Sequence, residues 1–264
     1  LKIADPESDL GWIDDFWRAA GEHVFARVDD GALILPPNRV YRANATAAAL
    51  VDHLRRGGRA ARWKLPSQAA KRDVAAFFGD LASLYRGGEP VNGTVQAVPY
   101  AFGFTRLPVL AELAVTYRCN NACRFCYAGC GDGGSGAAAE RPELATAEYK
   151  RIIDLFADEA KIPFFSFTGG EPTLRPDLED LIRHARRRSL IVNLVTNGTL
   201  IDRRRARSLK KAGLASAQVS IEAPVAGLHD SLVGRPGAFA AGVAGVAAQR
   251  PAGLSTPTKT NQCR

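Results

Sequence analysis

The sequence predicts an α/β fold, a parallel sheet of about four strands, open or curled toward a barrel, preceded by a small α+β domain of sheet and helices. Three observations carry that expectation. From residue 109 onward, short apolar runs alternate with amphipathic helical stretches, the pattern of a parallel sheet. Upstream, residues 23–44 alternate apolar and polar side chains around an Asp29-Asp30-Gly31 turn, which signals a hairpin followed by a further strand. Between them, residues 87–108 are rich in Gly and Pro and have no helical period. The expected domains are therefore 1–86, a linker at 87–108, and 109–264.

Within the first domain, two helical stretches follow the strands. Residues 45–58 end in paired glycines, and residues 67–88 open on Ser67, a helix-capping residue, and end the same way. In the second domain, "VLAELAVTY" (109–117) is the first buried strand, and residues 145–160 form its helix after a cysteine-rich loop and the flexible "GDGGSGAAAE". The second strand is "IPFFSFT" (162–168) with a helix over 176–188; the third is "LIVNLVTN" (190–197) with a helix over 202–213; the fourth is "LASAQVSIE" (214–222). In such sheets, sites lie beyond the carboxyl ends of the strands. Each unusual motif falls at one of those ends: the cysteines, then "TGGEP", "TNGT" and "SIEAP".

At 264 residues and 46% hydrophobic, the chain is long enough for a sizeable core and about two domains. The net charge of +8 comes partly from arginine runs (Arg183, Arg186, Arg187, Arg188; Arg203, Arg204, Arg205, Arg207) that sit on amphipathic stretches and read as solvated helix faces, not as a nucleic-acid surface. No early segment reads as a secretory signal, and no apolar run approaches the roughly 18 residues of a membrane span. A cytoplasmic protein without nucleic-acid or membrane partners is the expectation. The chain contains no Met, and its polar, Thr-rich end "RPAGLSTPTKTNQCR" reads as an interrupted core.

"YRCNNACRFCYAGCG" (117–131) holds four of the five cysteines, spaced Cys119-x3-Cys123-x2-Cys126-x3-Cys130. Bridges among such close neighbours would be strained, so a reduced metal site fits better than disulfides. Zinc sites use two separated ligand pairs, whereas here there is no second pair, and His23, His53, His184 and His229 are scattered. Ferredoxin runs have a first gap of two and a Pro after the fourth Cys, whereas here the gap is three and Gly131 follows. The set Cys119, Cys123, Phe125, Cys126, on a loop after the first strand of a βα fold, resembles the signature of the radical S-adenosylmethionine superfamily.

That resemblance implies a partial (β/α) TIM-like barrel and a [4Fe-4S] cluster held by Cys119, Cys123 and Cys126. Its fourth iron is left for the amino and carboxylate groups of S-adenosyl-L-methionine, which is cleaved to a 5′-deoxyadenosyl radical. A fourth thiolate would block the open iron, so Cys130 is expected outside the ligand set; the role of Cys263 is left open. By the same resemblance, Phe125 and the Tyr127 backbone lie near adenine. "TGGEP" is similar to the family's glycine motif, in which Gly169, Gly170 and Glu171 meet the methionine amino group. Thr196, Asn197, Ser220 and Glu222 then face the ribose and methionine groups, and Arg235 in "VGRPGAF" resembles an arginine that pairs with the cofactor carboxylate.

The first domain, carried by "FARVDDGALILPPNRVYRANATAAALVDHLRRGG" and "AAFFGDLASLY", is similar to the PqqD-like peptide recognition element of peptide maturases, which implies a winged-helix-like fold. In that family a leader peptide adds as a strand to the sheet edge, which implies an edge at "NRVYRAN" with Arg39, Tyr41 and Arg42 offered to an acidic leader. The resulting expectation is an enzyme that modifies a ribosomally made precursor peptide and receives electrons from a flavodoxin or ferredoxin. The alternatives are a non-catalytic leader-binding module with a structural cluster, or an enzyme of cofactor metabolism acting on a small molecule.

Overall fold

A computed structural model describes residues 10–35, 39–97, 107–130 and 142–260. The chain divides into two compact units, Leu1–Arg106 and Leu107–Arg264. The "GDGGSGAAAE" segment and Cys263 lie outside the described residues.

In the first unit, α1 (Gly11–Ala20) precedes β1 (Phe25–Arg27), β2 (Ala32–Leu35) and β3 (Arg39–Arg42), then α2 (Ala45–Arg55), α3 (Gln68–Tyr85) and β4 (Gln96–Ala97). The expected hairpin is there, with Phe25 opposite Ile34 and Arg27 opposite Ala32. Its turn closes on an Arg27–Asp30 pair (2.7 and 2.9 Å) and on Gly31 at φ +66°, where a Cβ would sit 2.6 Å from the Ala43 carbonyl oxygen. Asn44 and Ser67 cap α2 and α3 by accepting from the Ala47 and Ala70 amides, which satisfies amides that the helices leave unpaired. Ile13, Leu33, Val51, Phe78 and Leu81 meet in the core of this unit.

Two elements of this unit escaped the sequence reading. One is α1, whose "GWIDDFWRAA" buries Ile13 and Ala20. The other is β4, which lies in the segment expected to be a linker and pairs with β3, Tyr41 opposite Ala97 and Arg42 opposite Gln96. The sheet order is β1-β2-β3-β4, so β3 is not the edge strand that "NRVYRAN" was expected to offer. Tyr41 is buried in the core and Arg39 donates to the Leu84 carbonyl at 2.7 Å, leaving Arg42 as the exposed member of that trio. The cause is Asp80 on α3. Its buried carboxylate accepts from the Val91, Asn92 and Thr94 amides and from the Thr94 hydroxyl (2.7–2.9 Å), folding the Gly/Pro-rich segment back along the helix.

The second unit is a parallel sheet in the order β5 (Leu110–Thr116), β6 (Phe164–Gly169), β7 (Ile191–Thr196), β8 (Ser216–Ser220) and β9 (Thr258–Lys259). Neighbours in sequence are neighbours in the sheet, the arrangement of a (β/α) barrel rather than a doubly wound sheet. Between the strands run α4 (Thr146–Asp158), α5 (Leu178–Arg187), α6 (Arg203–Ala212), α7 (Ala226–Val233) and α8 (Ala238–Gln249). The sheet has five strands where about four were expected. β9 lies in the polar, Thr-rich terminal segment for which no strand was expected, and its two exposed polar residues carry no apolar alternation. Backbone bonds secure it, from Val219 N–H to Pro257 O and from Ile221 N–H to Lys259 O.

Phe165, Phe167, Val192, Leu194 and Ala217 pack with Leu178, Leu181 and Leu209 from the helices. On the other face of the strands one layer is polar: Ser216 donates to Asn193 (2.7 Å) and Asn193 to Ser166 (3.3 Å), where branched apolar residues usually fill such barrels.

Asp80→Ala should destabilise the first unit by about 2–4 kcal/mol, because it strands several buried donors at once. Burial alone would raise the Asp80 pKa, but the hydrogen bonds from Asn92, Thr94 and Val91 outweigh it and hold the carboxyl below its ordinary value. The contribution is therefore full above about pH 4 and is lost as pH falls through the lower folded value. Denaturant melts should show the gap between wild type and variant narrowing in acid. A gap independent of pH would count against the carboxylate as the cause.

Candidate functional site

The cysteine loop leaves β5 at Thr116 and has no helix or strand of its own between Cys119 and Cys130. Its shape comes from backbone pairs on two sides. The Gly170 amide donates to the Thr116 carbonyl and the Glu171 amide to the Arg118 carbonyl, both at 2.8 Å. Opposite, the Ala122 and Arg124 amides donate to Val233 and Leu232 at the end of α7 (2.8 and 3.1 Å). Gly169 and Gly170 are required by this closeness: Gly169 has φ +133° and its Cβ would fall 2.1 Å from the Thr116 oxygen, while that of Gly170 would fall 2.3 Å from the Arg118 oxygen.

Side chains complete the loop's anchorage. Asn120 donates to Thr199 (2.9 Å) and accepts from Asn197 (2.7 Å). Past the loop, Glu143 accepts from Thr116, from Arg118 (3.0 and 3.2 Å) and from Arg175 (3.3 Å), and Arg175 in turn pairs with Asp177 (2.7 Å). Burial alone would raise the Glu143 pKa, but the bonds from Arg118 and Thr116 and the two guanidinium charges lower it.

Cys119, Cys123, Cys126 and Cys130 line one cavity of about 430 Å³, with Phe125, Tyr127, Gly169, Gly170, Thr196, Asn197, Ser220 and Glu222. That volume lies in the roughly 300–1,000 Å³ range of small-molecule sites. The structure thus brings together most of the residues that the sequence singled out. Two expectations are revised. Glu171 is fully buried behind the cavity wall, where Thr173 N–H (3.0 Å), the Thr173 and Thr196 hydroxyls, and Asn197 N–H (2.8 Å) occupy its carboxylate. Burial pushes its pKa up against those bonds. Arg235 does not line the cavity either: its guanidinium donates to the Asn120 carbonyl (3.2 Å) and so braces the cysteine loop.

Thr196 and Asn197 reach the cavity with side chains already engaged, Thr196 with Glu171 (2.7 Å) and Asn197 with Asn120. The sequence reading missed Glu112, Asn121, Gln218 and Lys259, which also line the cavity. For Glu112 a signal was available, a lone carboxylate between Ala111 and Leu113 in an apolar strand.

Burial raises the Cys123 thiol to about 12, helped by negative charge on Cys119, Cys126 and Glu222. Cys119 is raised for the same first reason. Cys130 differs: it is buried, its amide donates to the Cys126 sulfur at 3.3 Å and its thiol to the Ala128 carbonyl at 3.8 Å, and burial together with Cys126 raises it to about 12.

Residues 113–260 match the family model of the Radical SAM superfamily. The chain belongs to that superfamily. Among curated proteins it is 38% identical over 153 residues to an AdoMet-dependent heme synthase of Oleidesulfovibrio alaskensis, covering 57% of this chain and 37% of that protein. It is 37% identical over 136 residues to a PqqA peptide cyclase of Rhodopseudomonas palustris, covering 52% of this chain and 33% of that one. The match thus spans well under half the length of these curated relatives. Among solved structures, SuiB of Streptococcus suis bound to its precursor peptide SuiA aligns with TM-score 0.58 at 15% identity, over 92% of this chain and 57% of that one, a likeness of fold.

Radical SAM membership implies a [4Fe-4S] cluster and S-adenosylmethionine, and the donor set fits them. Soft thiolates suit iron–sulfur clusters. Among the described residues, no three His, Cys, Asp or Glu side chains are grouped so as to hold a single metal ion. A cubane takes its thiolates on separate irons and does not need that convergence.

Glu171→Gln should lower stability by about 1–3 kcal/mol, since each carboxylate oxygen accepts a backbone N–H and either amide orientation sets donor against donor. Urea denaturation checks this. An unchanged midpoint would remove Glu171 as the brace between the two strand ends.

Proposed function

We propose that this chain carries the cofactor-binding core of a radical S-adenosylmethionine enzyme that modifies a ribosomally made peptide. The observation that carries the reading is the cavity that the four cysteines of the loop share with the glycine backbone at the end of β6 and the polar ends of β7 and β8. Cys119, Cys123 and Cys126 hold the cluster. Gly169 and Gly170 offer backbone to the methionine part of the cofactor, Ser220 and Glu222 face its ribose and methionine groups, and Phe125 and Tyr127 stand on the adenine side. Thr196 and Asn197 shape the wall more than they bind, because their side chains already serve Glu171 and Asn120.

Bound and reduced, a cluster held by those cysteines would supply the electron for reductive cleavage of S-adenosylmethionine, the chemistry that yields a 5′-deoxyadenosyl radical able to take a hydrogen atom from a substrate. A flavodoxin or ferredoxin is the proposed electron source. This chain's own residues orient the cofactor, and Glu112, Gln218 and Lys259, which also line the cavity, are offered to the substrate. A closed site is needed to protect a radical from solvent.

The likeness to PqqA peptide cyclase and to SuiB with its precursor peptide supports a peptide substrate, with the first unit as the proposed docking element. The likeness to AdoMet-dependent heme synthase favours a second reading, a small-molecule substrate in cofactor metabolism. Affinity of the first unit for a precursor peptide encoded nearby, measured by fluorescence anisotropy, separates the two; no binding favours the small molecule.

Anaerobic reconstitution, then reduction with S-adenosylmethionine, should yield 5′-deoxyadenosine. Intact iron–sulfur absorbance without that product would leave a binding module with a structural cluster. Cys130→Ala keeps the amide that donates to Cys126 and should retain the iron content of wild type, whereas Cys123→Ala should lose most of it. Equal losses in both variants would return the site to four thiolates.

A further inference from the structure

Two adjacent asparagines in the cysteine loop are treated very differently by the fold. Asn120 uses both ends of its amide within the protein. Asn121, between Cys119 and Cys123, lines the cavity and is only 5% exposed, yet no donor among the described residues reaches its Oδ1. Its backbone N–H is accounted for, lying 3.4 Å from the Cys119 sulfur. A buried acceptor without a donor is rare and unfavourable, so it needs a partner.

The chemistry of the missing partner is restricted. Thiolates, sulfides and iron carry no hydrogen-bond donor, so the cluster cannot satisfy a carbonyl oxygen. S-adenosylmethionine brings several donors, in its amino group, ribose hydroxyls and adenine amine. Building on the functional reading above, we infer that Asn121 is a cofactor-binding residue whose side-chain carbonyl accepts a hydrogen bond from S-adenosylmethionine bound in this cavity. Asn121 thereby adds a contact from within the first cysteine gap to those expected from the strand ends.

Asn121→Leu retains approximate volume and removes the acceptor, whereas Asn121→Asp retains it. Both variants and wild type are reconstituted anaerobically as the full chain, iron is counted, and S-adenosylmethionine affinity is measured by calorimetry. Asn121→Leu should bind the cofactor about tenfold more weakly, the scale of one buried hydrogen bond, with iron content unchanged. Asn121→Asp should stay within about threefold of wild type, and it keeps the comparison decisive if the Leu variant does not fold. Wild-type affinity in the Leu variant, an equal fall in the Asp variant, or loss of iron from the Asp variant would overturn the inference. Wild-type chain that takes up iron yet binds no S-adenosylmethionine would instead overturn the functional reading itself.

Discussion

The site depends on how closely the turn after β6 lies against the exit of β5. Two backbone hydrogen bonds, Gly170 to Thr116 and Glu171 to Arg118, make the seam, and Gly169 and Gly170 leave no room in it for a Cβ. Everything on the cysteine loop is positioned from that seam and from the second one at Leu232 and Val233. A loop with no regular structure is thus fixed by neighbouring strand and helix ends. The buried Glu171 carboxylate extends the seam to β7 by gathering Thr196 and the Asn197 amide.

Electrostatics act in two directions around this frame. Outside the cavity, Glu143, Arg118, Arg175 and Asp177 form a network of opposite charges that clasps the two flanks of the loop. Inside it, thiols and Glu222 crowd together, and burial and like charge push the thiol pKa values up. Such a site disfavours its own ionised thiolates until positive charge arrives, which is the condition that metal binding meets.

Much of the second unit was legible because its signals are local: short apolar runs, amphipathic helical stretches and motifs at strand ends. β9 was not, since two exposed polar residues joined by backbone bonds leave no pattern of side chains. β4 failed for a related reason, being placed by the distant carboxylate of Asp80. In the site, residue types marked the cavity, but spacing could not tell a residue that faces the cavity from one that braces it. Glu171 and Arg235 belong to the second group, and only hydrogen-bond partners at long sequence separation reveal it. Asn121 carried no signal beside its neighbour Asn120, because the difference between them lies in what surrounds each amide.

The central claim is a cluster held by three thiolates with one iron left to the cofactor. Mössbauer spectroscopy of the chain reconstituted with labelled iron, recorded before and after addition of S-adenosylmethionine, tests it most directly. The account predicts one iron distinct from the other three, whose signal alone shifts when the cofactor is added. Four equivalent irons, unmoved by S-adenosylmethionine, would contradict it.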